Sequence, residues 1–371
     1  MHDGISRLLE FKKRVNVSKS WFNYQARMSY IGCAASVNLG DLILTDAAIK
    51  LLKDVNLIPN SPLSGIAYTR FAPLFDYAGQ ILLRGPISPN HLILGAGTLL
   101  NDPFFHGILL RYYKNNMAFS IFGTSVEWEK YTGNRLGELA SILKSAQVVA
   151  VRDSYSAAKL KEIGVESEII GDIALSLVES NIPRTLKQKL TIGVNLCGSR
   201  GQVIGDSDGI IIAIADFIKE LDSLGHNVVF FAMHSNDYDD IKYLTTLIEH
   251  SDSRVVWWRE NDVNGVIEFI EKCDVVIGQR LHAAILATGM SVPTISIAYR
   301  PKCKNYMNSI GMDKYTIEPE ESDILLDLLL EKWNLLMKNY ETISTELKVV
   351  VEKYREKQHE AAQKIKMSFT K

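Results

Sequence analysis

Short apolar runs rich in β-branched residues alternate with segments whose apolar residues recur every three or four positions over most of the chain. The runs fall at residues 29–32, 91–94, 117–122, 147–151 and 167–170. After Pro183 the rhythm restarts at 190–196, 227–232, 254–258, 273–277 and 292–298. A run without polar alternation is buried on both faces, so these runs separated by helices predict parallel α/β sheets. The helices have readable ends: 41–53 starts after Gly40, 154–163 stops at Gly164 and 208–224 stops at Gly225. In the last of these, Ile210, Ile214, Phe217 and Leu221 form one stripe, as a sheet-covering helix requires.

The polar stretch 179–189, with Pro183 and three basic residues, interrupts this rhythm and reads as a linker. The expected division is an N-terminal Rossmann-like domain at 1–182, a C-terminal one at 183–320 and a helical extension at 321–371, the first two separated by a cleft. From Glu318 onward the pattern is helical and increasingly charged, which predicts a solvated terminal helix, with attraction to a membrane surface as the alternative. Residues Lys12, Lys13, Arg14, Lys19 and Arg27, beside Phe11, Trp21 and Phe22, present the same choice at the N-terminus.

Length and composition narrow the class. The 371 residues suit two domains, and 47% hydrophobic against 23% charged residues describes a folded chain rather than a disordered one. Forty-one basic against 43 acidic side chains leave a net charge of −2, which excludes the basic footprint of a dedicated nucleic-acid binder. Cys33, Cys197, Cys273 and Cys303 are too dispersed for a zinc site or a disulfide framework, and no DxD or His/carboxylate cluster suggests another metal. No stretch of about 18 apolar residues occurs. The expected location is the cytoplasm, with peripheral contact at the inner membrane face left open by the basic ends.

Candidate chemistry collects where strands end. Gly32-Cys-Ala-Ala-Ser-Val-Asn38-Leu-Gly40-Asp41 joins the first run to a helix, so its small residues and free N–H groups suit a phosphate or carboxylate; a tight turn capped by Asp41 is the plainer reading. Gly95-Ala-Gly97-Thr98 follows a neighbouring run on the same edge. Arg152-Asp153-Ser154 puts a guanidinium at a strand end, where it either grips an anion or pairs locally. Asp172 sits similarly and reads equally well as a helix cap. The most informative stretch is Gly278-Gln279-Arg280-Leu281-His282, an arginine two residues before a histidine at the opening of an apolar helix. It sets a permanent cation beside a titratable group. Tyr299-Arg300-Pro301-Lys302 adds another cationic strand end, and His234, three residues before Asp237, closes the second run of the C-terminal half.

Taken in order, Asn38-Leu-Gly-Asp41, Gly95-Ala-Gly-Thr98, Val151-Arg-Asp-Ser154 with Ser156, Gly171-Asp-Ile-Ala-Leu175, Gly193-Val-Asn195, Arg280-Leu-His282, Pro293 and 299–302 resemble the polysaccharide pyruvyl transferase family. Three positions depart from its usual pattern: Ala96 within a common triple glycine, Gln279 where serine is frequent, and Ile173 in place of a proline. The resemblance implies two Rossmann-like domains in a GT-B-like arrangement, with the acceptor on the N-terminal side and the donor on the C-terminal side. It implies transfer of the pyruvyl group of phosphoenolpyruvate to two hydroxyls of a sugar, forming a ketal and releasing phosphate, with no cofactor beyond the donor.

In that chemistry His282 protonates the donor's methylene carbon, Arg280 stabilises the departing phosphate, and Asp41 or His234 serves as base. Asn38, Gly40, Gly95, Gly97, Thr98, Arg152, His234, Leu281, Tyr299 and Lys302 are the expected substrate-binding positions. The acceptor, possible in lipid-linked form, would stack on aromatics of 59–83 and 102–113, among them Tyr68, Phe71, Phe75, Tyr77, Phe104, Phe105, Tyr112 and Tyr113. Two other readings stand beside this one: a GT-B glycosyltransferase using a nucleotide sugar, with Glu260 or Glu268 near the ribose, and a non-catalytic glycan-binding subunit.

Overall fold

In a computed structural model the residues described are 27–32, 38–53, 56–59, 91–100, 103–126, 134–197, 207–248, 255–256, 262–319 and 324–370. The first sheet consists of β1 (Arg27–Ile31), β2 (Asn56–Pro59), β3 (His91–Leu94), β4 (Ala118–Thr124), β5 (Val149–Val151) and β6 (Glu168–Ile169). Its order is β2-β1-β3-β4-β5-β6, with every pairing parallel. The second contains β7 (Thr191–Asn195), β8 (Asn227–Phe231), β9 (Val255–Val256), β10 (Val275–Gly278), β11 (Thr294–Ile297) and β12 (Thr316–Ile317). It is also parallel, in the order β12-β11-β10-β7-β8-β9.

Each apolar run thus became a strand, because a parallel strand covered by helices on both sides tolerates no polar face. The two strands that the runs did not announce, β2 and β12, lie at sheet edges. Pro59 costs little on an edge strand, and two residues at 316–317 are too few to show a period.

Helices α1 (Leu39–Leu51), α2 (Pro103–Lys114), α3 (Asn134–Lys144) and α4 (Ser154–Glu162) accompany the first sheet. Leu109, Leu139, Leu143 and Leu160 pack from them onto Leu92, Leu94, Phe119, Ile121 and Val151 of the strands. The second sheet carries α5 (Ser207–Ser223), α6 (Asp237–Leu247), α7 (Val263–Lys272), α8 (Leu281–Gly289), α9 (Pro301–Ser309), α10 (Leu325–Lys338) and the start of α11 (Tyr340–Thr370). Helix α8 is apolar all round and correspondingly buried from Ala283 to Gly289. Gly164 and Gly225 take the left-handed conformation just past α4 and α5, as the sequence predicts.

The chain divides into two compact units. One comprises residues up to 177 without 37–40, together with 355–371; the other comprises 37–40 and 178–354. These borders differ from 1–182, 183–320 and 321–371 in one instructive way, since the C-terminal helices are not an extension. In the second unit Leu329 and Trp333 of α10 are buried, Trp333 lies 6.1 Å from the Phe217 ring, and Tyr340 donates to the Asp274 carbonyl at 3.0 Å. In the first unit Gln358 Nε2 donates to the carbonyls of Ile170 and Asp172, at 3.0 and 2.8 Å, and Arg355 Nε to that of Leu175 at 3.0 Å. Ala361, Ala362 and Ile365 are buried there, so the charged sequence of α11 is an amphipathic helix whose apolar stripe is used.

Each sheet reverses its winding once, between β1 and β3 in the first and between β7 and β10 in the second. At such a point the loops leaving the strand ends diverge, which opens a crevice that doubly wound sheets use for ligands.

Candidate active site

In the second unit the reversal point is built by Asn195, Gln279 and Arg280. Asn195 closes β7: its amide nitrogen donates to the Phe231 carbonyl at 2.9 Å, and its Oδ1 accepts the backbone N–H of Arg280 at 3.0 Å. Gln279 bridges the same strand ends by accepting the Cys197 N–H at 2.7 Å. The chain therefore leaves β10 in one direction, and Arg280 is held before α8 begins. Its guanidinium meets Asp237 at the start of α6, with Nε at 3.0 Å and Nη2 at 2.5 Å from the same carboxylate oxygen. Burial works against the Arg280 charge, but the Asp237 carboxylate outweighs it and holds the pKa above the ordinary guanidinium value.

The other Asp237 oxygen accepts from the backbones of Met233 and His234, at 2.9 and 3.0 Å. That loop is also tied to residues 37–40, because Leu39 donates to the Met233 carbonyl at 2.9 Å and Asn38 forms a backbone bridge with His234. Asn38 Oδ1 accepts the Gly40 N–H at 3.0 Å. Gly40 is required here for space: a Cβ on it would run into the imidazole of His282. His282, half-buried in the first turn of α8, is thus packed against a backbone. Tyr299 follows β11 with Lys302 at 5.5 Å and Arg300 at 5.8 Å from its ring, and burial raises its phenol pKa despite Lys302. Leu281 is buried in the helix packing.

The first unit has its own reversal point. Gly95 donates to the Ile31 carbonyl at 2.8 Å and passes so close to the Tyr30 ring that a side chain would not fit. The Gly97 carbonyl accepts from Ser125 N at 2.7 Å and Thr124 Oγ1 at 3.0 Å, and Thr98 Oγ1 meets Ser125 Oγ at 3.1 Å. Arg152 lies beneath this turn: Nη2 donates to Ser125 Oγ at 2.8 Å, Nε to Asp153 at 3.3 Å, and Nη1 stands 3.7 Å from Asp172. Asp153 and Asp172 also accept the N–H groups of Ser156 and Ala174, which for Asp172 is the capping role that the sequence allows equally. Burial raises the Asp172 pKa, with Arg152 opposing the shift. Asp41 is half-buried in the first turn of α1.

Asn38, Gly40, His234, Arg280, Leu281, His282, Tyr299 and Lys302 lie in the second unit, and Asp41, Gly95, Gly97, Thr98 and Arg152 in the first. Asn195 and Asp237 complete the first group. Asn195 was visible only as the end of a motif and Asp237 only as the end of a run, since nothing local says which cation each meets. Tyr68, Phe71, Phe75, Tyr77, Cys33, Glu260, Lys12, Lys13, Arg14 and Lys19 lie outside the described residues, as does the Phe104 side chain; Arg27 opens β1 and Glu268 is exposed on α7. Among the described residues no group of three His, Cys, Asp or Glu could hold a metal ion, and no helix is long and apolar enough to cross a membrane.

A family model for polysaccharide pyruvyl transferases matches residues 38–301, from the Asn38 turn through Arg280, His282 and Tyr299. The chain belongs to that family. No curated protein matches it. Among solved structures it is similar to the UDP-GlcNAc 2-epimerase from Neisseria meningitidis bound to UDP-GlcNAc, with a TM-score of 0.53 and 9% identity over 89% of this chain and 99% of that one. A putative UDP-N-acetylglucosamine 2-epimerase from Listeria monocytogenes gives 0.56 and 12%, over 86% and 91%. Anabaena Alr3699/HepE in complex with UDP and glucose gives 0.52 and 12%, over 93% and 100%. At such identities the likeness shows the fold alone, two Rossmann-like α/β domains of the GT-B class.

Proposed function

We propose that this member of the family moves the pyruvyl group of phosphoenolpyruvate onto two hydroxyls of a sugar in a polysaccharide or its precursor. The observation that carries the reading is the Arg280 clamp at a reversal point, with His282 two residues on and wedged against Gly40. Phosphoenolpyruvate has a carboxylate and a phosphate to neutralise. Arg280 and Lys302 supply the cations, and the N–H groups that open α8 supply neutral donors, on one unit.

In the proposed sequence His282, protonated, gives its proton to the methylene carbon, which becomes the methyl group and leaves an oxocarbenium-like centre at the neighbouring carbon. A sugar hydroxyl attacks that carbon and passes its proton to a base, His234 or Asp41. The C–O bond to phosphate then breaks, with Arg280 facing the developing charge, and the second hydroxyl closes the ketal as its proton leaves with phosphate. The acceptor belongs to the first unit, where Thr98 offers a hydroxyl and Arg152 steadies Thr98 through Ser125.

Calorimetric titration with phosphoenolpyruvate and with UDP-glucose tests the assignment. The wild type is expected to bind phosphoenolpyruvate; Arg280→Ala to lose at least about tenfold in affinity; and His282→Ala to retain binding while releasing no phosphate in the presence of acceptor. Preference for UDP-glucose would replace pyruvyl transfer by glycosyl transfer.

A further inference from the structure

From the arrangement around α6 we infer that Asp237 is a positioning residue, which presets Arg280 to grip an oxyanion with its outer edge. The inference rests on the donor assignment above and concerns a residue that the reaction itself does not need. Asp237 is fully buried and uses both oxygens differently. Oδ2 accepts two backbone N–H groups, from Met233 and His234, which fixes the carboxylate in its own loop. Oδ1 accepts Nε–H and one Nη2–H of Arg280. A guanidinium carries five N–H donors. The Asp237 grip consumes two on one edge, and among the described residues no acceptor takes the Nη1 pair or the second Nη2 hydrogen. Those remaining donors form the fork that binds a phosphate or carboxylate with two parallel hydrogen bonds.

The backbone hold supplied by Asn195 fixes where Arg280 starts, and Asp237 fixes where its side chain ends. The carboxylate is chemically specific. An asparagine would have to turn its NH2 either toward two backbone N–H groups or toward the guanidinium, setting donor against donor in each case. A serine keeps an oxygen acceptor for the loop while being too short to reach Arg280, so it separates a structural role from a positioning one.

Two measurements decide the matter. In the first, carried out without substrate, the rate of Arg280 modification by phenylglyoxal is read by peptide mass spectrometry in the wild type, Asp237→Ser and Asp237→Asn. Release of the guanidinium predicts a rate raised about tenfold in both variants, while an unchanged rate overturns the proposal. In the second, phosphoenolpyruvate affinity is measured for Asp237→Ser, Arg280→Ala and the double variant. Positioning predicts about a tenfold loss in Asp237→Ser and no further loss when Arg280 is already absent; additive losses overturn it. If the wild type does not bind phosphoenolpyruvate at all, the donor assignment falls, and the modification rate still decides whether Asp237 holds Arg280. Unfolding of both Asp237 variants by circular dichroism would overturn positioning in favour of a purely structural carboxylate.

Discussion

Two arginines follow strands in the two units, Arg280 beside its sheet's reversal point and Arg152 two strands from that of its own, and they are held differently. Arg152 follows β5 in the first unit and is 2% exposed, with Ser125, Asp153 and Asp172 set against its three nitrogen positions. Arg280 follows β10 in the second and is 8% exposed, with one carboxylate against one edge. Both are strand-end cations with an aspartate partner, so residue type and position make them equal candidates. The partners make them different. Two carboxylates and a hydroxyl stand against all three nitrogens of Arg152, through hydrogen bonds at Nε and Nη2 and an ion pair at Nη1, and make it a support for the turn at 97–98. A single carboxylate steadies Arg280, and among the described residues no acceptor takes its remaining donors. A cation becomes a binding group when its neighbours hold it without satisfying it.

The comparison breaks most decisively if the first arginine proves dispensable for folding. Arg152→Ala leaves two buried carboxylates without their cation and is expected to cost about 3–5 kcal/mol in urea unfolding. Unchanged stability with lost phosphoenolpyruvate affinity would reverse the two roles. A second test uses acid. Burial lowers the His91 pKa from 6.5 to about 4 on β3 of the same sheet, where the ring also meets Ser120 Oγ at 2.9 Å. The unfolded chain then takes up this proton first. The contribution of His91 is full above pH 6.5 and is lost as pH falls toward 4, up to about 3 kcal/mol. His91→Gln should flatten the stability profile in that window, and an unaltered profile would remove His91 from the acid response. The smallest effect sharpens the contrast at Arg280. Arg280→Lys keeps the charge but loses the fork, so phosphoenolpyruvate affinity should drop about tenfold while the melting temperature moves by no more than about 2 °C. Equal affinity for the lysine variant would show that charge alone matters.

Much of the fold was legible because it rests on local regularities. The run 91–94 is β3 itself, and the other runs bracket their strands within a few residues. Gly164 and Gly225 marked helix ends since only the residue after the last turn needs positive φ. The strand-end motifs were also legible as places. Their meaning was not: Arg280 meets Asp237 across 43 positions of sequence, and Arg152 reaches Ser125 across 27. The C-terminal helix misled by its charge. Its exposed face dominates the composition of 340–370, while Gln358 and the buried alanines that anchor it are few and unremarkable in sequence.

The sequence by itself determined two parallel α/β sheets, the helices that cover them, the family, and the strand ends that carry the family's motifs. These follow from periodicity, capping and short motifs, each of which acts over a few residues. Only the tertiary structure decided which partners each arginine meets, why position 40 must be glycine, and that the charged tail is shared between two units. Those outcomes depend on which distant groups occupy the same few ångströms, and neither hydrophobic period nor local propensity contains that information.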